Sequence, residues 1–203
     1  MSQKQKMRKS DLPNKDNGIH FFRAGCLALE NKRFEEAIIL FNRALTIFDA
    51  HTDFIEERLR TATNLGHALV AARNYESALS IFQKASEMAN LLTLTTQEAW
   101  QAANMGSVYR DLKKYQNALL FYHRALALFI GENHTEGMAA QYANIGYIHA
   151  VLGEIITALD WFEKSANTFH RIGHLAQAAN AEKNIRLLRN NLPKAWEIEE
   201  WPS

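Results

Sequence analysis

Residues 63–85 read "TNLGHALVAARNYESALSIFQKA". Forty residues on, 103–125 read "ANMGSVYRDLKKYQNALLFYHRA", and 143–165 read "ANIGYIHAVLGEIITALDWFEKS". A fixed spacing of this size is the mark of a repeat array, in which each unit is one supersecondary element. Extending the register backward adds a first copy, so that Gly25, Gly66, Gly106 and Gly146 stand 41, 40 and 40 apart. Twelve residues after each comes Ala37, Ala78, Ala118 or Ala158. Four further on stands an aromatic residue, Phe41, Phe82, Tyr122 or Phe162, and three beyond that Ala44, Ala85, Ala125 or Ser165. Phe34, Tyr75, Tyr115 and Ile155 precede the first Ala of each set by three.

The residues between these positions specify helices. No proline occurs between Pro13 and Pro193, and the chain lacks the alternation expected of strands. The pattern predicts two antiparallel helices per unit. Small residues allow the helices to approach closely, and the aromatic fills the space toward the next unit. A single pair cannot bury its own apolar face, so neighbouring units must stack. The connections within units are "ENKR", "AARN", "DLKK" and "VLGE", and those between units are "DAHTDF", "LLTLTTQE" and "GENHTEGM". Capping boxes are expected at Asp53 with Glu56, Thr95 with Glu98 and Asn133 with Glu136.

The pattern of Gly at position eight, Ala at twenty, aromatic at twenty-four and Ala at twenty-seven resembles the tetratricopeptide repeat, over about residues 17–192. That family repeats every 34 residues. The longer period here is similar to its kinesin light chain, Pins-type adaptor and Rap/PlcR-type peptide-receptor branches. The unit-closing Pro of the family is absent. The resemblance implies an all-α, right-handed αα-superhelix: four helix pairs at about 17–52, 53–92, 93–132 and 133–172, then a capping helix at 174–191. Arg186 in the Gly register and Glu182 in a core register mark that cap. A basic arm, 1–16, is expected to be disordered, and 193–203 form a tail bearing Trp196, Trp201 and three Glu.

One polar position is conspicuous. Asn64, Asn104, Asn144 and Asn184 stand two before the Gly register, with Arg23 in the first copy and Arg186 in the cap's Gly position. The core face of each first helix is set by positions four, seven, eight and eleven, so position six lies across the helix from it. In the implied architecture that side lines a concave groove. An amide offers two donors and an acceptor, which match the main chain of an extended peptide. The family resemblance implies the same use. Bonds to adjacent helices, or simple solvation, are open alternatives for these residues. The same register adds Arg60 and Trp100 at position two, Lys183 at five, His67, Ser107 and Tyr147 at nine, and Arg110 beyond. The basic residues here outnumber Glu30 and Asp111, which favours an acidic segment or a terminal carboxylate. The Lys/Asn clamp with which some family members hold chaperone C-termini is not reproduced: Thr63, His67 and Ala140 occupy its positions.

Composition excludes several classes. Net charge is +1, unlike the basic stripe of a nucleic-acid binder. No apolar stretch is long enough for a spanning helix, and the first eighteen residues lack the apolar region of a secretory signal. Cys26 is the only cysteine, which suggests a reducing, cytoplasmic setting. There is no phosphate loop or HExxH motif, and His170 and His174 are not expected to bind metal. No catalytic residue, metal or cofactor is expected. The reading is a non-enzymatic scaffold or adaptor that binds a protein or peptide partner. The alternative is a self-assembling subunit, joined through Phe22, Leu27 and Leu29 on the uncapped first helix or through the tail. The tail could instead pack on the cap or dock in the groove.

Overall fold

A computed structural model describes residues 15–51 and 53–190, so all but the last two residues of the basic arm, and the Trp-bearing tail, lie outside the described residues. The described residues form nine helices and no strand. The chain divides into two compact units, Met1–Val108 and Tyr109–Ser203.

In the first unit lie α1 (Lys15–Glu30), α2 (Phe34–Asp49), α3 (Ile55–Ala71), α4 (Tyr75–Leu91) and most of α5 (Thr95–Asp111). Each of the first four packs on its sequence neighbour. In the second unit, α6 (Tyr115–Gly131), α7 (Thr135–Val151), α8 (Ile155–Arg171) and α9 (Leu175–Asn190) do the same. α1 thus begins two residues before the expected boundary, and α9 is the expected cap.

The Gly and aromatic registers meet within one helix pair. A Cβ added at Gly25 would stand 2.7 Å from Phe41, and one at Gly146 would stand 3.2 Å from Phe162. The aromatic therefore packs onto the Gly of its own pair, rather than only toward the next unit as the pattern suggested. Ala37, Ala78, Ala118 and Ala158 are wholly buried. Ser165 replaces the second Ala in the last pair, and its buried hydroxyl donates to the Ala139 carbonyl at 2.9 Å.

The turns differ from expectation. Between α3 and α4, the Asn74 N–H bonds the Leu69 carbonyl at 2.8 Å and the Arg73 N–H bonds that of Val70 at 2.9 Å. This is the paired bonding of a Schellman cap, which requires one left-handed residue. That residue is Arg73, at φ 60°. The same arrangement recurs at Lys32, Thr93, Lys113, Asn133, Gly153 and Gly173, all at positive φ. From Arg73 to Gly173 these stand 20 residues apart, so connections between pairs are as short as those within them. Only the α2–α3 connection is longer.

The predicted capping boxes do not form. Phe54 and His134 are the N-cap residues of α3 and α7. Asp53 instead pairs with Lys15, and the hydrogen bond from Lys15 holds its carboxyl below the ordinary range. Glu98 is buried and accepts from Asn90 Nδ2 at 3.0 Å. Asn133 supplies the left-handed turn, while His134 Nδ1 accepts the Gly137 N–H at 3.0 Å.

Candidate functional site

The first helix of each pair is buried on more than the face marked by positions four, seven, eight and eleven. In α3, Leu59, Thr61 and Ala68 are also buried, and in α5 the equivalents are Ala99, Gln101 and Val108. In α7, Ala139, Gln141 and Ile148 repeat this. These helices pack on two sides, which leaves a narrow strip at positions two, five, six and nine with solvent access, except at Ala103, position five of α5, which is buried.

In the first unit, Arg23, Arg60 and His67 are exposed on this strip, and Asn64, Trp100, Asn104 and Ser107 are half-buried. A cavity of about 210 Å³ is lined by Ile19, Phe22, Arg23, Phe48, Glu57 and Arg60. The Arg60 guanidinium lies 5.3 Å from the Phe22 ring centroid, and Phe22 packs on Phe41. Phe22 and Leu29 are therefore half-buried rather than exposed as expected, whereas Leu27 is 55% exposed. A second cavity, of about 360 Å³, is lined by Glu56, Leu59, Arg60, Thr63, Asn64, Leu94 and Gln97. Arg60 belongs to both.

The Asn side chains are neither sealed nor fully free. Asn64 Nδ2 donates to the Arg60 carbonyl at 3.0 Å, one turn back in the same helix. That leaves Oδ1 and a second N–H available. Asn104 makes no side-chain hydrogen bond among the described residues. Cys26 is half-buried at position nine of α1, and burial first, then the Glu30 charge, pushes its thiol pKa up against the opposing pull of Arg60. His67 packs edge-on against Phe82, with ring centroids 5.5 Å apart, and desolvation lowers its pKa.

In the second unit, Asn144 is half-buried and its Nδ2 donates to Gln141 Oε1 at 3.1 Å. Tyr147 is 47% exposed, with the Arg110 guanidinium 5.9 Å from its ring centroid. Arg110 pairs with Asp111 at 2.9 Å, so these two charges, counted separately in the sequence, offset each other. Lys183 is exposed and Asn184 half-buried on α9. A further cleft of about 310 Å³ between α8 and α9 is lined by residues that include Glu182, Arg186 and Arg189. Glu182, in the cap's core register, takes His170 at 2.8 Å. His174 faces Glu136 at 3.7 Å, so the two histidines serve different partners. His149 is half-buried, and its Nδ1 meets Glu154 at 2.5 Å.

Sequence reasoning passed over Gln101 and Gln141. Both are buried polar residues at position three, and their 40-residue spacing was available as a signal. Gln101 Nε2 donates to Thr63 Oγ1 at 3.0 Å, which ties α5 to α3 beside the Asn64 cavity. Among the described residues, no cluster of three His, Cys, Asp or Glu side chains could hold a metal, and no helix is long and apolar enough to cross a membrane.

Two family models, each described as tetratricopeptide repeat, match residues 18–91 and 101–128. The chain belongs to the tetratricopeptide repeat family. No curated protein matches the sequence. Among solved structures it is similar to aspartyl phosphate phosphatase F from Bacillus subtilis. Identity there is 22% and the TM-score 0.78, over 84% of this chain and 44% of that one. The apo form of RapI is 18% identical with a TM-score of 0.68, over 89% and 86% of the two chains. A Rap protein complexed with competence and sporulation factor is 17% identical with a TM-score of 0.70, over 85% and 48%. At these identities the likeness shows a shared fold. The chain spans less than half the length of the first and third of these proteins.

Proposed function

We propose that this protein is a non-enzymatic adaptor of the cytoplasm that holds an extended peptide segment of a protein partner against the amide-bearing helix strips of its units. The observation that carries this reading is Asn104, a half-buried amide on the strip with no side-chain hydrogen bond among the described residues. Asn is a mediocre helix former because its amide competes for the backbone. Its return at one register therefore asks for a use outside the helix. Asn64, one repeat earlier, lines a cavity and keeps an unengaged acceptor. A neighbouring fold of this kind is seen complexed with competence and sporulation factor, which supports a partner-holding role.

The test is binding of the protein to N-terminally tethered random peptides. Asn64→Ala with Asn104→Ala should weaken retention by more than ~1 kcal/mol, the net worth of roughly one or two such bonds. Helical circular dichroism should not change. Unaltered retention rejects the reading.

A second reading has one observation in its favour. Leu27 is 55% exposed at the register where α3, α5 and α7 bury Ala68, Val108 and Ile148. A second copy covering that face would bury it. Light scattering that returns the monomer mass across a concentration series removes this alternative.

A further inference from the structure

The first repeat breaks the Asn series, placing Arg23 where later repeats have an amide. Arg23 comes from α1 and Arg60 from α3, and both line the cavity floored by Ile19, Phe22 and Phe48. Neither arginine has an ion-pair partner among the described residues. Glu57 is the one carboxylate among the described residues lining the cavity, so their balance is two cations to one anion. At about 210 Å³ the space is below the several hundred Å³ of a typical drug-sized site. It suits one side chain.

We infer that this cavity receives the C-terminal residue of the partner peptide, an apolar residue whose carboxylate is held by Arg23 and Arg60. This rests on the peptide-binding reading above. The chemistry follows from what must coexist in one place. A guanidinium prefers a carboxylate, which it meets with paired N–H donors. The Arg60 guanidinium carbon lies over the Phe22 ring, 5.3 Å from its centroid. The floor is apolar, so an Asp or Glu side chain would bring the charge but nothing to fill the space between Phe22 and Phe48. An internal peptide bond would bring neither charge. Only a terminal apolar residue carries both groups on one unit. Arg60 also borders the second cavity, so the preceding peptide bond falls toward Thr63 and Asn64. Glu57 stands where it can accept the N–H of the last residue.

The test uses N-terminally tethered hexapeptides with five randomised positions followed by Leu, Phe or Asp. Each is made as the free acid and as the carboxamide, and retention of the full-length labelled protein is read. Free acids ending in Leu or Phe should be retained about tenfold better than their carboxamides, the worth of a charge-assisted bond. They should also exceed acids ending in Asp. Arg23→Gln with Arg60→Gln should erase the acid preference, and Arg23→Gln alone, at an exposed position, should reduce it without altering the circular dichroism. Equal retention of acids and carboxamides, both lost with Asn64→Ala, overturns the carboxylate anchor and leaves the peptide-binding reading standing. Asp-ended acids binding as well as Leu-ended ones overturns the apolar cavity assignment. An acid preference that survives the double Arg change overturns the residue assignment, and no retention of any peptide overturns both readings.

Discussion

A Cβ built on Gly66 would lie 2.3 Å from Phe82 Cε1, so the glycine of α3 and the aromatic of α4 are two halves of one contact. Phe82 is 1% exposed, so its ring is enclosed by neighbours. Gly66→Ala should therefore destabilise the protein by about 1–3 kcal/mol, the usual cost of overpacking, even though Ala is the better helix former. Gly131, also helical, has nothing within 4 Å of an added Cβ. Gly131→Ala should gain up to ~1 kcal/mol from propensity alone. Urea denaturation midpoints of the two variants should move in opposite directions.

Thr93 occupies a left-handed position at φ 55° in the turn between α4 and α5. Its branched Cβ makes this conformation costly, by roughly 1–2 kcal/mol relative to glycine. The equivalent turns after α7 and α8 already use Gly153 and Gly173. Thr93→Gly should raise the thermal midpoint, with the gain trimmed by the greater freedom of glycine in the unfolded chain. Gly153→Thr should lower it by a similar amount. The Gly153 comparison controls for loss of packing, since an added Cβ there meets nothing within 4 Å.

The helix pairs and their glycine–aromatic register were legible because both are local patterns repeated at fixed spacing. The turns were not. The sequence shows Lys32, Arg73, Thr93 and Lys113 as ordinary polar residues, and only the seven-fold recurrence of one hydrogen-bond pattern shows them to be left-handed. The capping boxes at Thr95 and Asn133 misled because the previous helix's Schellman cap already supplies the entry to the next, and the one at Asp53 misled because Lys15 takes its carboxylate. The strip bearing the Asn residues could be placed by helical phase. Its depth could not, because α3, α5 and α7 are covered on two sides and apolar residues run most of the way round them. Gln101 and Gln141 fell into that gap, since a one-stripe reading has no place for a buried amide at position three. Arg110 and Asp111 were counted as separate groove charges because register does not show that adjacent side chains turn toward each other and pair.

Stability should fall on mild acidification. Desolvation lowers the pKa of His67, and burial followed by the His149 charge lowers that of His123. Unfolded histidine titrates near about 6.5. Below that value the unfolded chain binds protons that the folded imidazoles still refuse. The contribution is thus present above about pH 6.5 and is lost as pH falls through the lower folded-state values. Asp53, whose carboxyl is shifted down by Lys15, responds only at more acid pH. Urea midpoints measured at pH 7.5 and pH 5.5 should differ for the parent protein. The difference should shrink with His67→Gln and His123→Gln combined, and an unchanged difference would assign the effect elsewhere.

Gln101 is 1% exposed, and its Oε1 has no hydrogen-bond partner among the described residues. Its Nε2 is engaged with Thr63 Oγ1, whose own hydroxyl donates to the Leu59 carbonyl at 2.9 Å. An unmatched buried acceptor costs about 1–3 kcal/mol, more than a typical hydrogen bond returns. Gln101→Met keeps the volume and removes that acceptor, while Thr63 retains its bond to Leu59. The change should be neutral or stabilising in urea denaturation. Thr63→Val should cost about 1–3 kcal/mol, because it leaves the donor end of the same amide unmatched as well. Gln141 is the control, since its Oε1 accepts from Asn144 Nδ2, and Gln141→Met should lose roughly 0.5–1.5 kcal/mol. Should Gln101→Met cost as much as Gln141→Met, then Gln101 Oε1 is satisfied in solution by a buried water. The tie between α5 and α3 would then be a three-member network rather than a single bond.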